Sequence, residues 1–351
     1  MKNLFLTLII LLSIGLVYTS CKKKVKGCTD STSLNYNSEA TEDDGTCEYY
    51  NGSQSQANSI TGSTSGITED MTIYTFVAGE GESDDLSNKT NSNDSTTIPS
   101  CASISLDSQG PNIWPKTLTI DFGTNGCECF DGKTRKGKIM AKFTGFWKTH
   151  SDGDSIIVTF DNYYIGDTMV TGTRYFWAED YVTITGILKV GYKAENASLI
   201  YPNNGGTISW NVQGTYTITG LTTPTDISDD EMDLNLSGSI TAINGDTYSV
   251  ATTSDLITKI DCIDDCIFIG GTFEASSAVT SDTTFSYKGV SYSYNLKTTT
   301  TLSFDFGDGS DCDELFDVST EVKVENLTNS SVLYDDTYTP VEYSCSALDS
   351  L

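Results

Sequence analysis

Beyond Cys101 the chain alternates apolar and polar residues with a period of two. Ile139, Ala141, Phe143, Gly145 and Trp147 fall on one face, with Lys138, Lys142, Thr144 and Lys148 mostly opposite. Val182, Ile184, Gly186, Leu188, Val190 and Tyr192 repeat the design. So do Ile208, Trp210, Val212, Gly214, Tyr216 and Ile218, against Ser209, Asn211, Gln213, Thr215 and Thr217. Side chains of a strand point alternately to its two faces, so each run predicts a half-buried antiparallel strand. No window of comparable length carries an apolar stripe at helical spacing. The prediction is an all-β fold, a large antiparallel meander shaped as a curved sandwich or barrel, occupying 101–351.

Glycines recur in the inward rows, at Gly145, Gly172, Gly186, Gly214, Gly238, Gly270 and Gly271. Such positions permit bulges and sharp bends, so they predict strongly curved strands. Residues 51–100 differ in kind. Ser, Asn, Gly and Thr dominate, and the segment reads as a flexible spacer. Its exception is Met71-Thr72-Ile73-Tyr74-Thr75-Phe76-Val77, which has the composition of a strand or short docking segment.

The amino terminus carries a different pattern. Lys2 is followed by a nearly unbroken apolar run from Leu4 to Val17, too short for a span of about 20 residues across hydrocarbon. This is an export signal, residues 1–20, rather than a membrane helix. Val17-Tyr18-Thr19-Ser20-Cys21 resembles a bacterial lipobox. That resemblance implies lipidation of Cys21 and cleavage before it, with residues 21–26 as a basic tether. Lys22, Lys23, Lys24 and Lys26 suit a headgroup layer, where each cation adds about 1 kcal/mol of attraction.

Composition narrows the function. The chain has 48 acidic and 20 basic residues, a net charge of −28, and loss of residues 1–20 makes it one unit more negative. Such a chain repels phosphate backbones, so nucleic acid is not an expected partner, and membrane contact is expected through the lipid alone. Ten cysteines in an exported chain imply disulfides. With Cys21 lipidated, nine remain, an odd number, so at least one is unpaired or bonded to another chain.

Residues 27–50 form a cysteine-bounded module: Cys28-Thr29-Asp30, then Leu34-Asn35-Tyr36-Asn37, Ala40, and Asp43-Asp44-Gly45-Thr46-Cys47. It resembles a short module of exported Bacteroidetes proteins with the pattern C-T-D-x-x-A-x-N-Y-x-x-x-A-x-x-D-D-G-S-C, Ser33 and Thr46 replacing the family's Ala and Ser. Its few apolar residues cannot fold it unaided, and a Cys28–Cys47 bridge would add about 3 kcal/mol by loop closure. Asp30, Asn35, Asn37, Asp43 and Asp44 supply hard oxygen ligands for Ca²⁺, though not in the register of an EF-hand.

Two further segments match each other. Leu118-Thr119-Ile120-Asp121-Phe122-Gly123 leads to Cys127 and Cys129, and Leu302-Ser303-Phe304-Asp305-Phe306-Gly307 leads to Cys312. Both resemble stretches of a group of Bacteroidetes lipoproteins of Flavobacterium type, over about 101–318. That group implies fold and export but no activity. The twin segments read as structural corners, with Cys101 bridged to Cys127 or Cys129, and Cys262 or Cys266 bridged to Cys312. Asp305, Asp308, Asp311 and Asp313 form an acidic turn.

Catalytic signatures are sparse. His150 is the single histidine and no nucleophile elbow accompanies it, which argues against a Ser-His-Asp triad and histidine-rich zinc sites. Trp147, Trp177, Trp210, Tyr163, Tyr164, Tyr175 and Tyr192 are candidates for a sugar-stacking platform, Trp177 beside Glu179 being the one expected at the surface. The expectation is a lipid-anchored protein of the bacterial outer membrane with a non-catalytic binding or structural role, its ligand a glycan or an envelope protein. The alternative is a carbohydrate-active hydrolase using an Asp/Glu pair. The lysines after Cys21 depart from the acidic residues of surface-displayed lipoproteins, which leaves the periplasmic and cell-surface faces both open.

Overall fold

The computed structural model describes residues 24–27, 40–43, 52–81, 98–107, 113–129, 131–182, 185–220, 231–259, 262, 268–287, 290–310, 312 and 315–344. They fall into two units, Met1–Gln54 and Ser55–Leu351. In the first, Lys26 and Glu42 form a parallel bridge. The Thr41 N–H donates to the Val25 carbonyl at 2.9 Å, and Lys24 Nζ lies 3.0 Å from Glu42 Oε2.

Among the described residues the second unit holds one 14-stranded antiparallel sheet, one α-helix and one 3-10 turn, Trp147–Thr149. The helix is α1 (Gly52–Gly81). The strands are β1 (Ser103–Asp107), β2 (Lys116–Asp121), β3 (Cys127–Glu128), β4 (Thr134–Phe143), β5 (Ser155–Ile165), β6 (Thr168–Val182) and β7 (Ile187–Ile200). They continue with β8 (Thr207–Thr219), β9 (Glu231–Thr241), β10 (Thr247–Lys259), β11 (Gly270–Tyr287), β12 (Val290–Asp308), β13 (Leu315–Asn326) and β14 (Ser331–Ser344). Apart from β3, which pairs only with β4, spatial order follows chain order from β1 to β14. Both ends of that path are edges, so the sheet is not closed into a barrel. The all-β meander expected from the alternation is therefore present as a single sheet.

The alternation sets which side of each strand is buried. In β8, Ile208, Trp210, Val212, Tyr216 and Ile218 are buried while their neighbours are partly or fully exposed. Two of the inward glycines, Gly172 and Gly271, stand at breaks in strand register. At Gly172 the β6–β7 register slips between Thr171 and Thr173, φ is +94°, and a Cβ would stand 2.5 Å from the Asn196 carbonyl oxygen. That is a glycine-dependent bulge. Gly271 marks the same irregularity in β11, whereas Gly145 and Gly186 lie between strands.

Over 52–81 the expected spacer is corrected by α1, and so is the strand expected at 71–77, which is helical, while 82–97 lie outside the described residues. The physical reason lies in burial. α1 carries five glycines, each costing about 1 kcal/mol relative to alanine, and many β-branched residues, so its own propensity opposes it. Ile67, Ile73, Phe76 and Val77 are at most 1% exposed, and each such burial is worth about 1.5–3 kcal/mol. Consecutive positions from Gly66 to Ala78 are buried almost without a break, Thr75 being the exception. A helix enclosed on all sides shows no single apolar stripe, which is why periodicity missed it.

Adjacent helix residues point about 100° apart, so Glu69 and Asp70 reach different strands. Glu69 accepts from Arg135 of β4 (Nε, 3.2 Å; Nη2, 2.7 Å) and from the Tyr163 hydroxyl of β5 at 2.6 Å. Arg135 also makes a two-pronged pair with Asp131, both bonds 2.6 Å. Asp70 accepts from Arg174 Nε, the Tyr192 hydroxyl and, at 3.1 Å, Trp210 Nε1. Burial pushes the Asp70 carboxyl up, and these donors pull the other way. Arg135 and Arg174 are the only arginines in the chain, and both are fully buried. The planar guanidinium fork suits a desolvated carboxylate better than an ammonium does.

The twin Asp-Phe-Gly segments are structural corners. In both, the aspartate Oδ1 accepts from the glycine N–H two residues on, at 2.8 Å for Asp121 and 3.0 Å for Asp305. Phe122 and Phe306 are each 2% exposed. Each corner lies beside a bridge, Cys101–Cys127 or Cys262–Cys312, that joins the start of one strand pair to its end. Loop closure over separations of 26 and 50 residues corresponds to about 3.5 and about 4 kcal/mol. Cys129 is the free cysteine among the described residues; it is buried, and burial pushes its thiol up.

Candidate ligand-binding surface

The outer face of β6–β9 carries an aromatic-polar surface. Trp177 is only half-buried, and its indole covers Gly191 on the neighbouring strand, where a Cβ would stand 2.0 Å from Trp177 Cε2. Glycine at 191 is thus what lets the ring lie down on the sheet. Trp177 Nε1 donates to Glu179 Oε1 at 3.2 Å, tethering the ring's polar edge. One step along the strands, Tyr175, Lys193, Gln213 and Ser237 stand in register across β6, β7, β8 and β9.

Beside this row lies a shallow groove of about 250 Å³, lined by Lys193, Glu195, Asn211, Gln213, Ser237 and Gly238, with Ala194 and Val212 at its base. A bulge in β7 between Ala194 and Ala197 opens it. Asn196 there is left-handed (φ 49°), and its N–H donates to Asn211 Oδ1 at 2.8 Å. Lys193 pairs with Glu195. Hydrogen bonds from Lys193, then Tyr175, hold the Glu195 carboxyl below the usual carboxylate range, and the same pairing raises Lys193. The groove therefore presents an ionised acceptor, an ammonium donor and side-chain amides beside two aromatic rings.

The sequence-level aromatic set divides between core and surface. Trp147, Trp210, Tyr163 and Tyr192 are at most 1% exposed and belong to the core. Trp177 and Tyr175 share the outer face, and Glu179 sits at its edge. His150 packs its ring on Trp147 and Tyr181. The groove itself was not singled out in the sequence. Its signal there was the polar half of the alternation, Lys193-x-Glu195 and Asn211-x-Gln213, which looks like any solvated strand face.

The candidate calcium ligands Asp30, Asn35, Asn37 and Asp44 lie outside the described residues, as do Cys21, Cys28 and Cys47. Asp43 is described and exposed. Among the described residues no cluster of three or more His, Cys, Asp or Glu is arranged to hold a metal, and no helix is long and apolar enough to cross a membrane. Asp305 and Asp308 of the acidic turn spend their carboxylates on local backbone N–H groups. No protein-family model, no curated protein and no solved structure matches this chain.

Proposed function

We propose that this protein is a non-catalytic glycan-binding component of a bacterial cell envelope, lipid-anchored through Cys21 at the outer membrane. In this reading the 27–50 module is a disulfide-closed, calcium-holding spacer, and the outer face of β6–β9 is the ligand surface. The carrying observation is the Trp177 indole laid flat over Gly191 beside the polar groove. An aromatic ring offers an apolar plate to the C–H face of a sugar, while convergent amides and charges fix its hydroxyls.

The rival reading is a hydrolase. A leaving-group acid needs a carboxyl raised towards neutrality. Glu195 is shifted in the opposite direction, which suits accepting hydrogen bonds from hydroxyls. The test is a tryptophan-fluorescence titration with soluble neutral polysaccharides and peptidoglycan fragments, on the native chain and on Trp177→Ala and Gln213→Ala. Saturable quenching, weakened at least tenfold in both variants, supports the proposal. Equal binding by all three chains contradicts it, and sugar release during the titration would favour the hydrolase.

A further inference from the structure

The far ends of β11–β14 extend the sheet beyond its filled core. Near the Asp-Phe-Gly corner the inner face is packed: Phe268, Phe306, Phe316 and Tyr343 form a chain of rings with centroids 5.3–5.6 Å apart. Past Leu302, towards the hairpin tips, the same face opens to solvent. Val279 is 64% exposed, Tyr294 37%, Tyr334 41% and Tyr338 50%. Strand register places them on one surface, since Val279 pairs with Thr298, Thr298 with Val324, and Val324 with Tyr334. The opposite face bears Lys297, Glu321, Lys323 and Glu325 among serines and threonines, with Val332 beside Glu325, whereas the open inner face sets its tyrosines and valines among threonines and serines.

Among the described residues on the open half of the inner face, the one charged side chain is Asp336, opposite Val322. It sits between two tyrosines of the same strand. The Tyr334 hydroxyl lies 3.2 Å from Asp336 Oδ2 and 3.0 Å from the Tyr338 hydroxyl. The edge itself is guarded. β14 carries Pro340, Asp335 and Glu342, and its pairing with β13 slips twice. Proline, charge and bulges are the devices that stop strand addition at an edge, so a partner is directed to the face.

We infer that the open inner face of β11–β14 is a docking surface for a basic protein segment whose arginine or lysine is received at Asp336 between Tyr334 and Tyr338. A cation there meets a carboxylate and two electron-rich rings, while Val279, Val324 and Tyr294 take the apolar residues beside it. The net charge of −28 draws cationic partners and repels a second copy, which would also set Asp336 against Asp336. This surface is separate from the Trp177 groove and does not depend on it.

The probe is a short labelled peptide alternating arginine with leucine, compared with a counterpart carrying glutamine for arginine. Anisotropy is read on the full chain and on Asp336→Asn, Tyr338→Ala, Glu321→Gln and Trp177→Ala. Expected are a loss of about tenfold or more in Asp336→Asn and Tyr338→Ala, little change in the other two, and weak binding of the glutamine peptide. Equal losses in Asp336→Asn and Glu321→Gln would reduce the effect to general acidity and overturn the inference. So would equal binding of both peptides. Co-sedimentation with phosphatidylcholine vesicles that Tyr338→Ala abolishes and Asp336→Asn spares would assign the face to a membrane instead. An unchanged urea midpoint shows that each variant is folded.

Discussion

β4–β8 and the outer half of β11–β14 are written in the same alternating code and end in opposite situations. In the first, inward positions hold Phe143, Phe176, Tyr192, Trp210 and both arginines, and α1 covers them. In the second, inward positions hold threonines, valines and tyrosines, and they remain partly or fully exposed. The difference teaches that a period of two identifies the face of a strand and not what lies against it. Coverage is signalled by something else: the size of the inward residues, and a charge that only a partner of opposite sign makes tolerable.

Removing one carboxylate from each region should separate the two by stability. Asp70→Ala leaves Arg174 buried without its counter-ion and should cost about 3–5 kcal/mol by urea denaturation. Asp336→Ala, on the open face, should cost less than about 0.5 kcal/mol. Similar losses for the two would mean that α1 does not seal the sheet as described.

A smaller effect sharpens the helix packing. In a solvent-facing helix, Gly66→Ala would stabilise by about 1 kcal/mol. Here the new methyl would stand 2.4 Å from Trp210 Cη2 and within 2.8 Å of two further ring atoms, so a net loss of about 1–3 kcal/mol is expected. A raised melting temperature in this variant would contradict the enclosure of α1.

The least of the effects is a pH dependence. Burial pushes the Asp131 carboxyl up, but the hydrogen bonds and charge of Arg135 outweigh it and hold the group below the usual carboxylate range. A folded value below the unfolded one means stability that is present above the unfolded value and lost as pH falls through the folded one. Asp131→Asn should therefore lose less stability than the native chain as pH falls below about 4, with the two curves parallel at higher pH.

Much of the fold was legible in the residues. Alternation around Ile208–Ile218 marked β8, the inward glycine at 172 marked a bulge, and the matched Asp-Phe-Gly segments pointed to two disulfide corners. The helix was hidden because its glycines, serines and threonines resemble a linker, and enclosure erases the stripe that periodicity detects. A clue did exist. The chain uses lysine for its other eighteen cations and arginine only at 135 and 174, and Arg174 shares the inward row of Phe176 and Ala178. An arginine in such a row requires a buried acid, and Glu69-Asp70 was available. The candidate site was less legible. Trp177 stood out, but the groove depends on a bulge at Asn196 and on register across four strands, which no local motif encodes.

Tyrosine is abundant in both regions, so solvent labelling of tyrosine compares them directly. Nitration of the folded chain under limiting reagent, mapped by peptide mass spectrometry, should modify Tyr292, Tyr294, Tyr334 and Tyr338 and spare Tyr74, Tyr163, Tyr192 and Tyr216. Modification of Tyr74 or Tyr192 at the rate of Tyr338, or protection of Tyr334 and Tyr338 to the level of Tyr192, would contradict a sheet filled by α1 at one end and open at the other.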